Sequence, residues 1–303
     1  MTLDDKPALY CHHVRHSIGR TTDSLSQTGR GKTISRETTA ARPIKVLQIT
    51  DTHLFDDPDG CLLGLNTEQS LQAVIADVAH RHLPADLVLA TGDLAHTPAP
   101  ATYARVFSNL CKLGLPVYCL SGNHDEGQLL STLTNGGLCR FETHLHHGGW
   151  HFIFLDSTIP GSEGAHFPAE RLQELDRLLS GSPDTHTLVC MHHQPVAMGS
   201  RWLDTMALDN PDEFFAVIDR HPQIRGILWG HVHQEFTETR NGVQLMSTPS
   251  TCIQFMPNSS DFAVDMVSPG YRWLLLHPDG RIETGVERLA NIPGTIDQTA
   301  SGY

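Results

Sequence analysis

Long apolar runs are missing from the 303-residue chain. No stretch approaches the roughly 20 residues of a membrane-crossing helix, and no apolar core of a secretory signal stands near the start. Cationic side chains are few: 21 Lys and Arg face 34 Asp and Glu, for a formal net charge of -13. With no basic patch to offset it, that balance excludes the electrostatic footprint of a nucleic-acid binder. The seven cysteines are scattered, odd in number and without a Cys-x-x-Cys pair, which excludes a disulfide framework. Several lie in apolar runs, where a free thiol behaves as a small hydrophobe, and the set indicates a reducing, cytoplasmic compartment.

What is present is an ordinary globular composition, 39% hydrophobic and 18% charged, long enough for a substantial core. Residues 1–42 differ from the rest. They are rich in Thr, Ser, Arg, Gly and His with almost no apolar periodicity, and are expected to be a disordered extension in which His12, His13 and His16 are solvated. A single domain is expected over 43–290, followed by a flexible tail over 291–303.

From residue 43 two periodicities alternate. Apolar runs at 45–50 (KVLQIT), 86–91 (DLVLAT), 116–121 (PVYCLS), 150–155, 187–191 (TLVCM) and 224–229 read as strands. Helical patterns lie near 67–82, 101–114, 168–179 and 211–220. The first carries Leu71, Val74, Ile75 and Val78 on one stripe, with Asn66 as its cap and Gln69 three residues on. The second ends at Gly114, and Pro168 stands at the first position of the third. Runs at 243–246, 271–277 and 281–286 read as antiparallel hairpins, with Asp279-Gly280 as a tight turn. Helices between strands imply helix layers over a sheet, and the late β-rich segment implies a second sheet packed on the first. The expected fold is α/β, a four-layer αββα sandwich of two mixed sheets flanked by helices.

Five strands each run into a polar motif: Asp51-Thr52-His53, Gly92-Asp93, Gly122-Asn123-His124-Asp125, His192-His193 and Gly230-His231-Val232-His233. Carboxylates, imidazoles and one amide form a donor set for two adjacent divalent metals, gathered at the strand ends where open α/β sheets bind ligands. In an extended strand, residues two apart share a face, so Asp51 pairs with His53 and His231 with His233. Glycines before Asp93, Asn123 and His231 let the backbone turn sharply. A bridging ligand needs two oxygens, and Asp93 comes from the strand expected to lie centrally. Of His192 and His193 one reaches the ions, and His192 is favoured because alternation turns its neighbour away. Nitrogen and oxygen donors without thiolate suit Fe, Mn, Zn or Co. Two ions so held activate a bridging hydroxide and clamp an in-line displacement at phosphorus. His124 is placed to protonate the leaving alkoxide or steady the phosphoryl charge, with Asp125 fixing its tautomer.

This order of motifs over residues 45–233 resembles the calcineurin-like metallophosphoesterase superfamily. The resemblance implies one ion on Asp51, His53, Asp93 and His233, and a second on Asp93, Asn123, His192 and His231. Over 45–290 the chain is also similar to the class III cyclic nucleotide phosphodiesterases, including bacterial 3′,5′-cyclic AMP phosphodiesterases. That similarity is carried by Ile49-Thr50-Asp51-Thr52-His53, Met191-His192-His193-Gln194-Pro195, Ser247-Thr248-Pro249-Ser250-Thr251-Cys252 and Pro269-Gly270-Tyr271-Arg272-Trp273. It implies iron or manganese ions (zinc or cobalt as alternatives), a catalytic His124, and substrate contacts at His53, Asp93, Asn123, His124 and His233. The implied reaction converts cyclic AMP to 5′-AMP. Two rivals are a phosphodiesterase for glycerophosphodiesters or other diesters, and an inactive protein-binding scaffold. The full ligand set stands against the scaffold.

Other residues invite weaker readings. His144, His146 and His147 have no acidic partner and read as a solvated loop. His96 falls either on the cleft rim or against substrate. Asp56, Asp57 and Asp59 read as a polar turn, because the other positions of a calcium loop are missing. Arg201, Trp202 and Met206 either close a pocket suited to a purine and a phosphate or anchor a loop.

Overall fold

The computed structural model describes residues 42–134, 137–300 and 302; of the extension expected over 1–42 all but Arg42 lies outside them, His12, His13 and His16 included. Strand β1 (Ile44–Ile49) sets the plan. Its pleat sends Ile44 and Val46 to one face and Leu47 and Ile49 to the other, and each set joins a different core. A strand buried on both faces needs a layer on each side.

The chain continues through α1 (Thr67–Arg81), β2 (Leu87–Thr91), α2 (Pro100–Leu110), β3 (Val117–Leu120), α3 (Gly127–Leu133) and β4 (Cys139–Arg140). It then lays down β5 (His144–His147), β6 (Trp150–Leu155), α4 (Ala169–Ser180), β7 (His186–Met191), α5 (Arg201–Asp204) and α6 (Pro211–Ile218). Strands β8 (Ile224–Trp229), β9 (Phe236–Arg240), β10 (Val243–Ser247), β11 (Gly270–Leu276) and β12 (Ile282–Arg288) follow. One six-stranded sheet has the order β12-β11-β1-β2-β3-β4 and the other β9-β10-β8-β7-β6-β5. The centre of each is parallel: Leu47 lies opposite Val88 and Val88 opposite Val117 in the first, Ile153 opposite Val189 and Val189 opposite Ile227 in the second.

Leu89, Tyr118 and Leu120 meet Phe152, Phe154, Leu188 and Leu228 between the sheets. Leu71, Val74, Tyr103 and Val106 of α1 and α2 cover Val88 and Ala90 on one outer face. Leu175, Leu179, Phe214 and Ile218 of α4 and α6 cover Ile153, Val189 and Ile227 on the other. The result is the αββα sandwich.

Particular elements differ from expectation. Of the late β-rich segment only Val243–Ser247 joins the second sheet, which residues 144–247 supply. Strands β11 and β12 return to the first sheet, where Leu47 lies opposite Trp273. There they cover the free edge of β1 and add Leu274 and Leu276 to the core between the sheets. Buried Arg272 of β11 reaches the other sheet, donating to the Ser247 carbonyl at 2.6 Å. Helix α1 is capped as expected, Asn66 Oδ1 accepting from Gln69 N–H at 2.8 Å, but Pro168 stands at the N-cap of α4 rather than inside it. Residues 144–147 form an edge strand, not a loop. Over 291–300, where a flexible tail is expected, Ile292 and Ile296 pack on the core and the Asp297 N–H donates to Leu63 C=O at 2.8 Å.

Candidate active site

The five motifs converge where the parallel strands of both sheets end. Strand β1 stops at Ile49, and beyond it Asp51 (φ 55°) and His53 (φ 46°) adopt left-handed backbone. Asp93 (φ 49°), His231 (φ 65°) and His233 (φ 49°) do the same. Residues with a Cβ avoid this region at a cost of roughly 1–2 kcal/mol each, and such strain concentrates at functional sites. Asp51 and His53 therefore share a centre because the chain coils past the strand end, not because an extended pleat puts them on one face.

Bonds from neighbouring segments hold these conformations. The Asp51 N–H donates to Gly92 C=O at 3.0 Å and the His53 N–H to Asp93 C=O at 2.9 Å. The Ser250 hydroxyl donates to Asp51 C=O at 2.8 Å. Asp125 was expected to orient His124. Its carboxylate instead accepts from the N–H groups of Leu94 (3.1 Å), Ala95 (3.0 Å) and Gly122 (3.0 Å) and from the Tyr103 hydroxyl (3.0 Å). It thus pins the loop after Asp93 to the loop before Asn123. Burial, with Asp93 close by, pushes this carboxyl up to about 6 despite those donors.

Of the three motif glycines only Gly92 is left-handed (φ 99°). Gly122 and Gly230 are required for space. A Cβ at Gly122 would fall on Asp93 Oδ1 and lie 2.7 Å from His192 Nε2, and one at Gly230 would lie 2.6 Å from Asp51 Oδ2. Gly122→Ala is accordingly expected to lose at least one bound metal per chain and to cut turnover about tenfold or more, while circular dichroism stays native. Metal content and rate measured on the same sample check this.

Ligand atoms cluster in two overlapping sets. His53 Nε2 lies 3.2 Å from His233 Nε2 and 3.6 Å from Asp93 Oδ2, and His233 Nε2 lies 3.5 Å from Asp51 Oδ1. In the second set, His192 Nε2 is 3.2 Å from Asp93 Oδ2 and 3.2 Å from Asn123 Oδ1. Metal–ligand bonds of about 2.0–2.2 Å put neighbouring donors roughly 3–3.5 Å apart, so the spacing suits an ion in each set. One Asp93 oxygen faces both, and the other accepts the His124 N–H at 2.9 Å. His231 Nε2 is buried with no hydrogen-bond partner, an orphan that a metal would satisfy.

Carbonyl groups aim the rings. His192 Nδ1 lies 2.8 Å from Thr91 O and His233 Nδ1 2.9 Å from Ile253 O. A carbonyl only accepts, so Nδ1 carries a proton in each ring and Nε2 is the nitrogen turned to the cluster. Burial holds His53 and His231 well below the usual imidazole range, leaving them neutral as ligands must be. His192 differs: burial opposes its charge, but the Asp93 carboxylate overrides this and raises it to about 9. That proton occupies the position a cation would take. His193 does not turn away as alternation suggests; its ring centroid is 4.5 Å from that of His231. Both its nitrogens are engaged, Nδ1 with Ser157 Oγ at 2.8 Å and Nε2 with Glu163 O at 3.2 Å.

A profile of the calcineurin-like phosphoesterase family matches residues 44–235. The chain belongs to that family. This phosphoesterase is 41% identical over 270 residues to the 3′,5′-cyclic adenosine monophosphate phosphodiesterase CpdA of Vibrio vulnificus, covering 89% of this chain and 98% of that protein. It is 39% identical over 260 residues to the enzyme of the same name from Pseudomonas aeruginosa, covering 86% and 95%. A dimetal phosphatase from Danio rerio shares its fold with a TM-score of 0.55 at 16% identity, covering 82% of this chain and 99% of that one.

Beside the phosphoesterase centre opens a cleft of about 320 Å³, whose lining includes Asn123, His124, Glu163 and His231 together with Trp202, Thr205, Met206 and Phe262. Trp202 meets Phe255 and Phe262 edge-on, at 4.9 and 5.2 Å between centroids, and Phe255 stacks on His233 at 4.3 Å. Of the loop residues singled out in the sequence, Trp202 and Met206 reach the cleft. Arg201 points into solvent, 3.6 Å from exposed Asp261. His96 stacks on the His124 ring at 5.0 Å and meets Phe55 at a tilt, 4.4 Å between centroids. Asp56, Asp57 and Asp59 form the polar turn, with side-chain-to-backbone bonds of 3.0 Å. Phe262 and Tyr103 serve the site without any motif that marks them beforehand, and Ser250 lies in the Ser247–Cys252 motif without a role assigned to it there.

Proposed function

We propose that this phosphoesterase hydrolyses 3′,5′-cyclic AMP to 5′-AMP at a centre of two divalent ions, iron or manganese, ending a second-messenger signal in the cytoplasm. The observation that carries the reading is the cleft, in which an aromatic wall stands directly beside the donor cluster. The names of the relatives, which align over most of the chain, support the substrate. Asp51, His53, Asp93 and His233 would hold one ion, and Asp93, Asn123, His192 and His231 the other. When bound, the ions supply Lewis-acid charge to the phosphoryl oxygens and lower the pKa of the attacking water.

The chain's own groups do the rest. His124 lines the cleft with its backbone anchored on Asp93, so its ring is placed to deliver a proton to the departing O3′. His53, Asp93, Asn123 and His233 would contact the phosphate alongside it. Trp202, Met206 and Phe262 form an apolar face for adenine. For the compartment, six free cysteines and no helix long and apolar enough to cross a membrane, both among the described residues, favour the reading.

The test is 5′-AMP release by manganese-loaded protein from cyclic AMP, beside 2′,3′-cyclic AMP, glycerophosphocholine and bis-p-nitrophenyl phosphate. Cyclic AMP is expected to be turned over fastest, and a chelator to abolish all activity. Trp202→Ala should raise KM for cyclic AMP about tenfold, since stacking a base on an aromatic ring is worth about 1–3 kcal/mol. The same variant should leave the nitrophenyl diester within about twofold. Turnover of that diester without cyclic AMP would remove the proposed substrate and keep the metal chemistry.

A further inference from the structure

Far along the second sheet from the loops just described, the edge strand β5 carries a second gathering of imidazoles. His144 and His146 are two apart and share a face of β5, and His146 lies directly opposite His151 on β6. Side chains of directly paired residues project to the same side of a sheet. The pleat therefore brings together His144, His146 and His151, and turns His147 to the opposite face. Their donor atoms all lie within 4.8 Å of one another. His151 Nε2 is 3.2 Å from His144 Nδ1, and the His146 and His151 rings stack at 4.2 Å. The nitrogen spacing equals that between ligand atoms in the binuclear cluster.

Packing alone leaves this arrangement unsatisfied. His151 is 1% exposed, and its Nδ1 is buried without a hydrogen-bond partner. A buried imidazole in its neutral form offers one nitrogen lone pair to a ligand. His144 and His146 are exposed, which gives an ion a route from solvent. Three neutral imidazoles are a known donor set for zinc, with water completing the shell.

We propose that His144, His146 and His151 form a third metal site, distinct from the binuclear centre, which takes a borderline divalent ion such as Zn²⁺ or Co²⁺ and ties edge strand β5 to β6. Such a tie would reinforce the end of the sheet at its unpaired edge.

Full-length protein carrying His12→Ala, His13→Ala and His16→Ala, which removes the histidines of the extension, is dialysed to equilibrium against Zn²⁺, and metal is counted per chain. Three equivalents are expected. Adding His146→Ala should reduce the count to two at low micromolar Zn²⁺ and weaken the third site roughly tenfold or more, as one of three donors is lost. His147→Ala, on the opposite face, should keep three. Hydrolysis of bis-p-nitrophenyl phosphate should stay within about twofold in both variants, separating this ion from the reaction centre. If His146→Ala alters folding, His146→Gln serves in its place at this exposed position. The same metal count with and without His146 overturns the proposal.

Discussion

Asp93→Asn should lower kcat/KM for phosphodiester hydrolysis by about 10³-fold or more and leave fewer than two manganese ions per chain in the manganese-loaded protein. The substitution preserves shape, so the loss would come from charge. Asp93 Oδ2 lies 3.2 Å from His192 Nε2 and 3.6 Å from His53 Nε2, facing both ligand sets. A neutral amide presents one weak oxygen donor where two cations need a shared anion. A factor of 10³ corresponds to about 4 kcal/mol of transition-state stabilisation, within what the Lewis-acid charge of a metal centre supplies. Metal content by elemental analysis and steady-state kinetics on one preparation measure both effects. Wild-type turnover in this variant would mean that Asp93 does not bridge.

His124→Gln should lower kcat for cyclic AMP by about 10²–10⁴-fold, the range for removing a general acid, while manganese content in the manganese-loaded protein stays at two. The ring stacks on His96 and meets His53 edge-on, at 5.0 and 4.9 Å between centroids, and it lines the cleft. Leaving-group dependence separates acid catalysis from damage to the centre. An alkoxide must be protonated as it departs, whereas nitrophenolate leaves readily unaided. The loss on bis-p-nitrophenyl phosphate should therefore be at least tenfold smaller than on cyclic AMP. Equal losses on the two substrates would make His124 a binding residue rather than the acid. The two variants also diverge from each other: Asp93→Asn should lose metal, and His124→Gln should lose rate alone.

Local order set much of this protein. Strand-then-motif runs mark Asp51, His53, Asp93, Asn123, His192, His231 and His233, which the structure brings together, because a polar loop after a buried strand reads as an apolar run followed abruptly by polar donors. The stripe through Leu71, Val74, Ile75 and Val78 and the Asn66 cap marked α1, because its signals lie within one or two turns of the chain.

Contacts between distant segments were beyond that reach. Only assembly shows that five of the candidate donors stand in left-handed backbone, since pleat arguments assume extended chain and the coil is held by Gly92, Asp93 and Ser250 from other segments. Only assembly sends β11 and β12 to the first sheet, where the free edge of β1 and the core between the sheets select them. Sequence proximity likewise grouped His147 with His144 and His146. The register of β5 against β6 exchanges it for His151, because a side chain's neighbours in a sheet are set by pairing across strands rather than by adjacency along one. The sequence by itself determined which donors the centre has and the order in which strands deliver them. Tertiary structure decided how those donors face one another, which aromatic wall stands beside them, and that Asp125 braces two loops instead of one ring, because each depends on the meeting of segments far apart in the chain.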